Sequence, residues 1–167
     1  MLSIAAGAAL FVACLYGGVG IKHYYKTRAE YFARINDFCN LLIDEISNLK
    51  TPLIKILENF AFLKKDELSK HITAYAEVLS RDVIPYEEQI RELLSSPYLK
   101  KEEIRLIADF LMILGRSRSE SQVANIKHYK NKFEEVSKKA GEAYTVQGAL
   151  AYKLGILLGI ALMIIVV

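Results

Sequence analysis

Two long stretches without a charged residue bound what this chain can fold into. Leu2–Ile21 is twenty residues and Leu154–Val167 fourteen, and neither holds an Asp, Glu, Lys or Arg. Twenty residues make about 30 Å of helix, the thickness of a hydrocarbon core. The second run reaches nineteen residues if it begins at Ala149, with Lys153 one turn in, where its stem can snorkel. All 19 acidic residues, and all but one of the 22 basic ones, lie between Lys22 and Gly148. The expected organisation is a transmembrane helix over 1–21, a charged helical bundle over 22–148 and a second transmembrane helix over 149–167.

The near balance of charge in the middle argues against a nucleic-acid binder, which needs a one-sided basic field. Nine Gly and three Pro leave little punctuation, so the domain should be all-α. Two cysteines, Cys14 and Cys39, are too few for a disulfide framework and suit a reducing compartment.

Lys22, Lys26 and Arg28 follow the first span, and Lys138, Lys139 and Lys153 border the second. By the positive-inside rule the bundle is expected in the cytoplasm and both termini outside. A secretory signal would need a basic start, and no Lys or Arg precedes Lys22. Phe11-Val12-Ala13-Cys14 is a loose match to a lipoprotein cleavage box, so a lipoprotein with an external helical domain stands as an alternative. Ala5, Ala9, Ala13 and Gly17 form a small-residue ridge, and Gly155 and Gly159 a Gly-x-x-x-Gly. These are the expected packing faces of the two spans, because small residues let helices approach closely in lipid.

Helical spacing predicts about six helices, with the long first and last running on into the spans. In the first, Tyr31, Ile35, Phe38, Leu42 and Leu49 share a stripe. Thr51-Pro52 should open a second helix, Thr as N-cap and Pro as first helical residue, burying Leu53, Ile56, Leu57 and Phe60. Asp66 should cap a third that buries Leu68, Ile72, Tyr75, Ala76 and Leu79. Pro85 should open a fourth, and Lys101-Glu102-Glu103 a fifth that stops at Gly115. The last helix should start near Ser119 and continue into the membrane, with Gly141 and Gly148 each weakening it by about 1 kcal/mol.

No catalytic constellation is visible. His23, His71 and His128 are far apart, without acidic or cysteine partners at ligand spacing, and are expected to be exposed or interfacial. No phosphate-binding glycine loop and no nucleophile elbow occurs. The glutamate pairs, Glu102-Glu103 among them, read as first-turn or solvated acids. Neither an enzyme nor a cofactor or metal site is expected. The turn around Arg116, Arg118, Glu120 and Gln122 is the expected partner-docking tip, since rigid scaffolds present binding residues on loops.

Glu45-Ile46 followed by Thr51-Pro52-Leu53, then Leu114-Gly115 followed by Ser121-Gln122 and Ile126, and then a long final apolar helix, resemble the stage III sporulation protein AB family. Arg118 stands where some relatives are expected to carry an acid. The resemblance implies a non-enzymatic membrane component of the mother-cell to forespore channel apparatus, in the mother-cell membrane around the forespore. It further implies likeness to the inner-membrane platform protein of type II secretion and type IV pilus systems. Its implied partners are a secretion-type ATPase, other membrane components of the channel and the bilayer, with self-association open. A scaffold that recruits soluble partners without transmitting force is the alternative within the same architecture.

Overall fold

A computed structural model describes residues 2–49, 51–81, 85–116 and 119–166, with the backbone alone for 2–4, 115–116 and 119–121. Every regular element among the described residues is helical. Helix α1 covers Leu2–Asp44 and runs into a π-helical turn, Glu45–Leu49. Four shorter helices follow: α2 (Leu53–Leu63), α3 (Glu67–Leu79), α4 (Glu87–Leu93) and α5 (Lys101–Arg116). Helix α6 (Ser119–Ala143) passes through a second π turn, Tyr144–Gly148, into α7 (Ala149–Val166) without a break. The expected all-α architecture of about six helices is therefore observed, with α6 and α7 as one long final helix.

Local chemistry sets the element ends. Asp66 caps α3, its Oδ1 accepting from the Ser69 N–H at 2.9 Å. The Lys100 N–H donates to Glu103 Oε2 at 2.8 Å at the start of α5. Three expected boundaries shift. Pro52 itself holds the cap position of α2, its carbonyl accepting from Lys55 and Ile56, because Thr51 is drawn back to Glu45. Pro85 lies two residues before α4, whose cap is Tyr86. Gly115 does not stop α5, which continues to Arg116.

The chain divides into two compact units. One comprises residues 30–137, and the other the residues up to Ala29 together with those from Lys138 onward. In the first, the core is built on aromatic rings. Phe38 lies 4.8 Å from Phe60 and 6.4 Å from Phe110 between centroids, and Phe110 lies 5.3 Å from Phe133. These rings come from α1, α2, α5 and α6, and each is nearly or wholly excluded from water. Ile56, Leu57, Leu68, Ile72, Ile107 and Leu111 fill the space around them. The Tyr75 hydroxyl donates to the Leu111 carbonyl at 2.6 Å, tying α3 to α5.

Most expected stripe residues are buried here, and Phe32, Cys39 and Phe110 join them. Leu49 does not: it is 68% exposed. The π turn over Glu45–Leu49 accommodates an extra residue, which rotates Leu49 off the stripe set by a 3.6-residue period. One expected solvent position is also overturned: His71 is buried against Tyr31. Glu103 is a first-turn acid of α5, as expected, and is buried there, accepting from the Lys100 N–H.

In the second unit α1 lies against the π turn and α7. The first and last helices are each long and apolar enough to cross a membrane, and only 11% of the most apolar segment of either is buried inside the protein. Leu10, Val12, Val19 and Ile21 on one helix, and Leu157, Leu158, Ile160, Ile164 and Ile165 on the other, face outward. A core helix of a water-soluble protein would be covered. So large an uncovered apolar surface is what lipid contact requires.

Candidate functional site

The two candidate membrane helices meet backbone to backbone. A Cβ placed on Gly155 would meet the Cys14 carbonyl oxygen at 2.9 Å and Gly18 Cα at 3.2 Å. One on Gly18 would meet the Ala151 carbonyl oxygen at 3.0 Å, and one on Gly159 the Phe11 ring at 2.7 Å. Only glycine permits so close an approach. Further along, Gly148 packs against Tyr25 and Lys22, and the Lys22 ammonium sits 5.0 Å from the centre of the Tyr152 ring. A cation and an aromatic ring are thus paired where the apolar segments end, the place at which such residues anchor a membrane protein.

Gly155 and Gly159 lie at this contact, as expected. The expected ridge on α1 does not. Ala5, Ala9 and Ala13 are exposed, and a Cβ added to Gly17 would have nothing within 4 Å. The inward face is instead Gly7, Phe11, Cys14 and Gly18, of which the two glycines are buried and the other two half-buried. Successive helical residues differ by about 100° in direction, so taking Gly17 for Gly18 turns the packing face well away. The signal that would have found it is the 4-3-4 spacing of these residues. It follows one face of a helix pair more closely than a strict repeat of four.

In the other unit the polar groups converge on α3. The Tyr31 hydroxyl lies 2.9 Å from His71 Nδ1, and both side chains are buried. Burial lowers the His71 pKa, with Glu67 opposing and Lys70 reinforcing that shift, so the ring is held neutral. Burial likewise pushes the Tyr31 hydroxyl far above its usual value, with Glu67 and Asp66 adding to the effect. Beside them Arg34 Nε donates to Asp66 Oδ2 at 3.0 Å, and its guanidinium lies 4.4 Å from the centre of the Phe60 ring. Burial works against the charge on Asp66, but the Ser69 N–H and Arg34 outweigh it and bring its pKa below the ordinary value. Glu67 is lowered in the same way, its hydrogen bonds to Lys70 and Ser96 outweighing its desolvation.

The expected docking tip falls largely outside what is described. Arg118 lies outside the described residues, and of Arg116 and Glu120 only the backbone is described. Gln122 is described, and its Nε2 donates to the Leu114 carbonyl at 2.9 Å, closing the end of α5. The paired motifs therefore have a structural meaning. Glu45 Oε2 accepts from the Thr51 hydroxyl at 2.5 Å, and Gln122 reaches Leu114. In each motif the side chain of one half bonds to the other half and fixes a turn between helices.

No curated protein and no solved structure matches the chain. The family model for stage III sporulation protein AB matches residues 3–167, and on that match the chain belongs to the stage III sporulation protein AB family.

Proposed function

We propose that this protein is a non-enzymatic membrane platform of the mother-cell to forespore channel apparatus, coupling a cytoplasmic secretion-type ATPase to the membrane complex. In this reading the 30–137 unit stands in the cytoplasm. It meets the ATPase, and the first and last helices carry displacement toward the bilayer and the other channel components. The observation that carries the reading is that α1, and α6 with α7, each run unbroken from a charged segment into an uncovered apolar one. The cluster of Lys and Arg beside the apolar segments supports the cytoplasmic side, and the family supports the sporulation role.

The test has two parts. Lys132→Cys, at an exposed position, is labelled with a membrane-impermeant maleimide in intact non-sporulating cells made to produce the protein, whose cell membrane has one face open to the medium. Labelling only after the membrane is opened supports the orientation, and labelling of intact cells rejects it. The full-length protein in membranes is then tested for retention of the purified ATPase. Absence of retention removes the coupling role.

A scaffold that recruits partners without force is favoured by one observation, the π turn at Tyr144–Gly148, where Thr145 bonds back to the Gly141 and Glu142 carbonyls. A π turn is a local weak point in a helix. Fast hydrogen exchange across 138–153 in the membrane-bound protein supports the scaffold, and strong protection supports coupling.

A further inference from the structure

Charge is segregated between the two units. The unit made of the residues up to Ala29 and from Lys138 onward holds six Lys and Arg and a single acid, Glu142, while residues 30–137 hold the other 18 acids against 16 bases. Within the basic unit, Lys153 stands at an unusual depth. A Cβ on Gly18 would meet the Ala151 carbonyl oxygen at 3.0 Å and Gly155 Cα at 3.3 Å. The backbone of Lys153, midway between those two residues, therefore lies opposite Gly18 and level with the uncharged Leu2–Ile21 stretch. Lys22, which ends that stretch, has its stem against Gly148 and its ammonium over the Tyr152 ring. Lys153 is five residues beyond Gly148, so it is rooted about 7 Å deeper along the apolar segment. Its side chain is exposed and forms no ion pair among the described residues. Glu142 is about 16 Å back along the same helix, twice the distance of about 8 Å over which salt screens a charge.

A lysine rooted beside lipid chains carries its ammonium along its own stem to the headgroup layer. That layer is where Lys22 ends the apolar stretch of α1, and Lys26, exposed, follows one turn later on the same face. Three cations thus gather at one boundary, and from Ala143 to the end of the chain, as from its start to Ala29, there is no acid to answer them. The anion that a headgroup layer supplies is phosphate. A zwitterionic lipid covers its phosphate with a cation of its own, and an anionic lipid does not, so a cluster of lysines favours the anionic one. We propose that Lys153, Lys22 and Lys26 form a binding site for the phosphate of an anionic phospholipid whose chains lie along the exposed apolar flank of α7. Lys153 supplies the charge from the chain side of the phosphate, and the Tyr152 ring holds Lys22 at the boundary. The site needs only that the two helices cross the bilayer, and it does not rest on the coupling role.

The experiment uses the absence of tryptophan from the chain. Leu157→Trp places one reporter four residues from Lys153, on the same face and exposed to lipid. The full-length protein carrying it is reconstituted in phosphatidylcholine bilayers at low ionic strength. Its fluorescence is quenched by phosphatidylglycerol or phosphatidylcholine with brominated chains. Phosphatidylglycerol is expected to be preferred at least about tenfold at this position. Adding Lys153→Gln is expected to cut the preference about fivefold, the factor that one cation near an anionic surface contributes, and Lys153→Arg to keep it. Lys22→Gln is expected to lower it in the same sense, which keeps the test decisive should Lys153→Gln misfold. Lys127→Gln, exposed in the other unit, is expected to leave it unchanged. Equal quenching by the two lipids overturns the site, and a preference that Lys153→Gln and Lys22→Gln both leave within about twofold overturns these lysines as its makers. Inorganic phosphate that abolishes the preference, where chloride of equal ionic strength does not, assigns the cluster to a soluble phosphate and overturns the lipid as occupant.

Discussion

Gly155 and Gly18 lie so close that a Cβ on Gly155 would stand 3.2 Å from Gly18 Cα and 2.9 Å from the neighbouring Cys14 carbonyl oxygen. The obstacle is backbone, which no rotamer change removes. Gly155→Leu should force the two helices apart and cost about 1–3 kcal/mol, the usual range for overpacking. Gly17→Leu, with nothing within 4 Å of the added carbon, should be near neutral. Thermal unfolding of the two variants in the same detergent checks the contrast, and spore counts from strains carrying each report whether the pairing matters in the cell.

His71 should make the bundle sensitive to mild acid. Its pKa is lowered in the folded protein, chiefly by burial, so the unfolded chain binds a proton first as pH falls. Stability should therefore drop as pH falls below about 6.5, by at most about 1.4 kcal/mol per pH unit, and level off once the folded ring also protonates. Asp66 and Glu67 are shifted in the sense that favours the folded state at neutral pH, so their contribution is present above about pH 4 and lost only below it. Denaturant midpoints between pH 7 and 5 isolate the histidine. His71→Gln should flatten that dependence while leaving the loss below pH 4.

The aromatic core predicts a graded pair of losses. Phe133→Ala removes a wholly buried ring that faces Phe110 at 5.3 Å and should cost about 3–5 kcal/mol. Tyr75→Phe keeps the ring and deletes the hydroxyl that donates to Leu111, and should cost about 1 kcal/mol. Urea titration of the full chain in detergent, followed by near-ultraviolet circular dichroism, should rank the two in that order.

Cys39 should be inert toward thiol reagents in the folded protein. It is wholly buried and burial pushes its thiol up to about 12, Lys130 and Glu134 acting in opposite senses. Maleimide should label it only after denaturation, as read by intact mass. A topology assay must for that reason use an introduced exposed cysteine such as that of Lys132→Cys.

The all-helical class, the two apolar segments and the cap at Asp66 were legible in the sequence because each is a local property. A cap needs one side chain three residues from an N–H, and a span needs only length without charge. Tyr31, Ile35, Phe38 and Leu42 were legible for the same reason, since they repeat with the period of a single helix. The last helix could be followed from Ser119 into its apolar end because nothing in between breaks it.

Tertiary structure alone decided which face of each helix is used. Small residues occur on two faces of α1, one through Ala5, Ala9, Ala13 and Gly17 and the other through Gly7, Cys14 and Gly18, and composition does not separate them. Only the approach of Gly155 selects Gly18. His71 offered no sequence signal of burial, because its partner Tyr31 is forty residues away. The depth of Lys153 is fixed only once Gly18 packs between Ala151 and Gly155. The sequence by itself determined the helices and the two apolar ends. The fold decided which atoms meet, because a rotation of one residue moves a side chain about 100° around its helix.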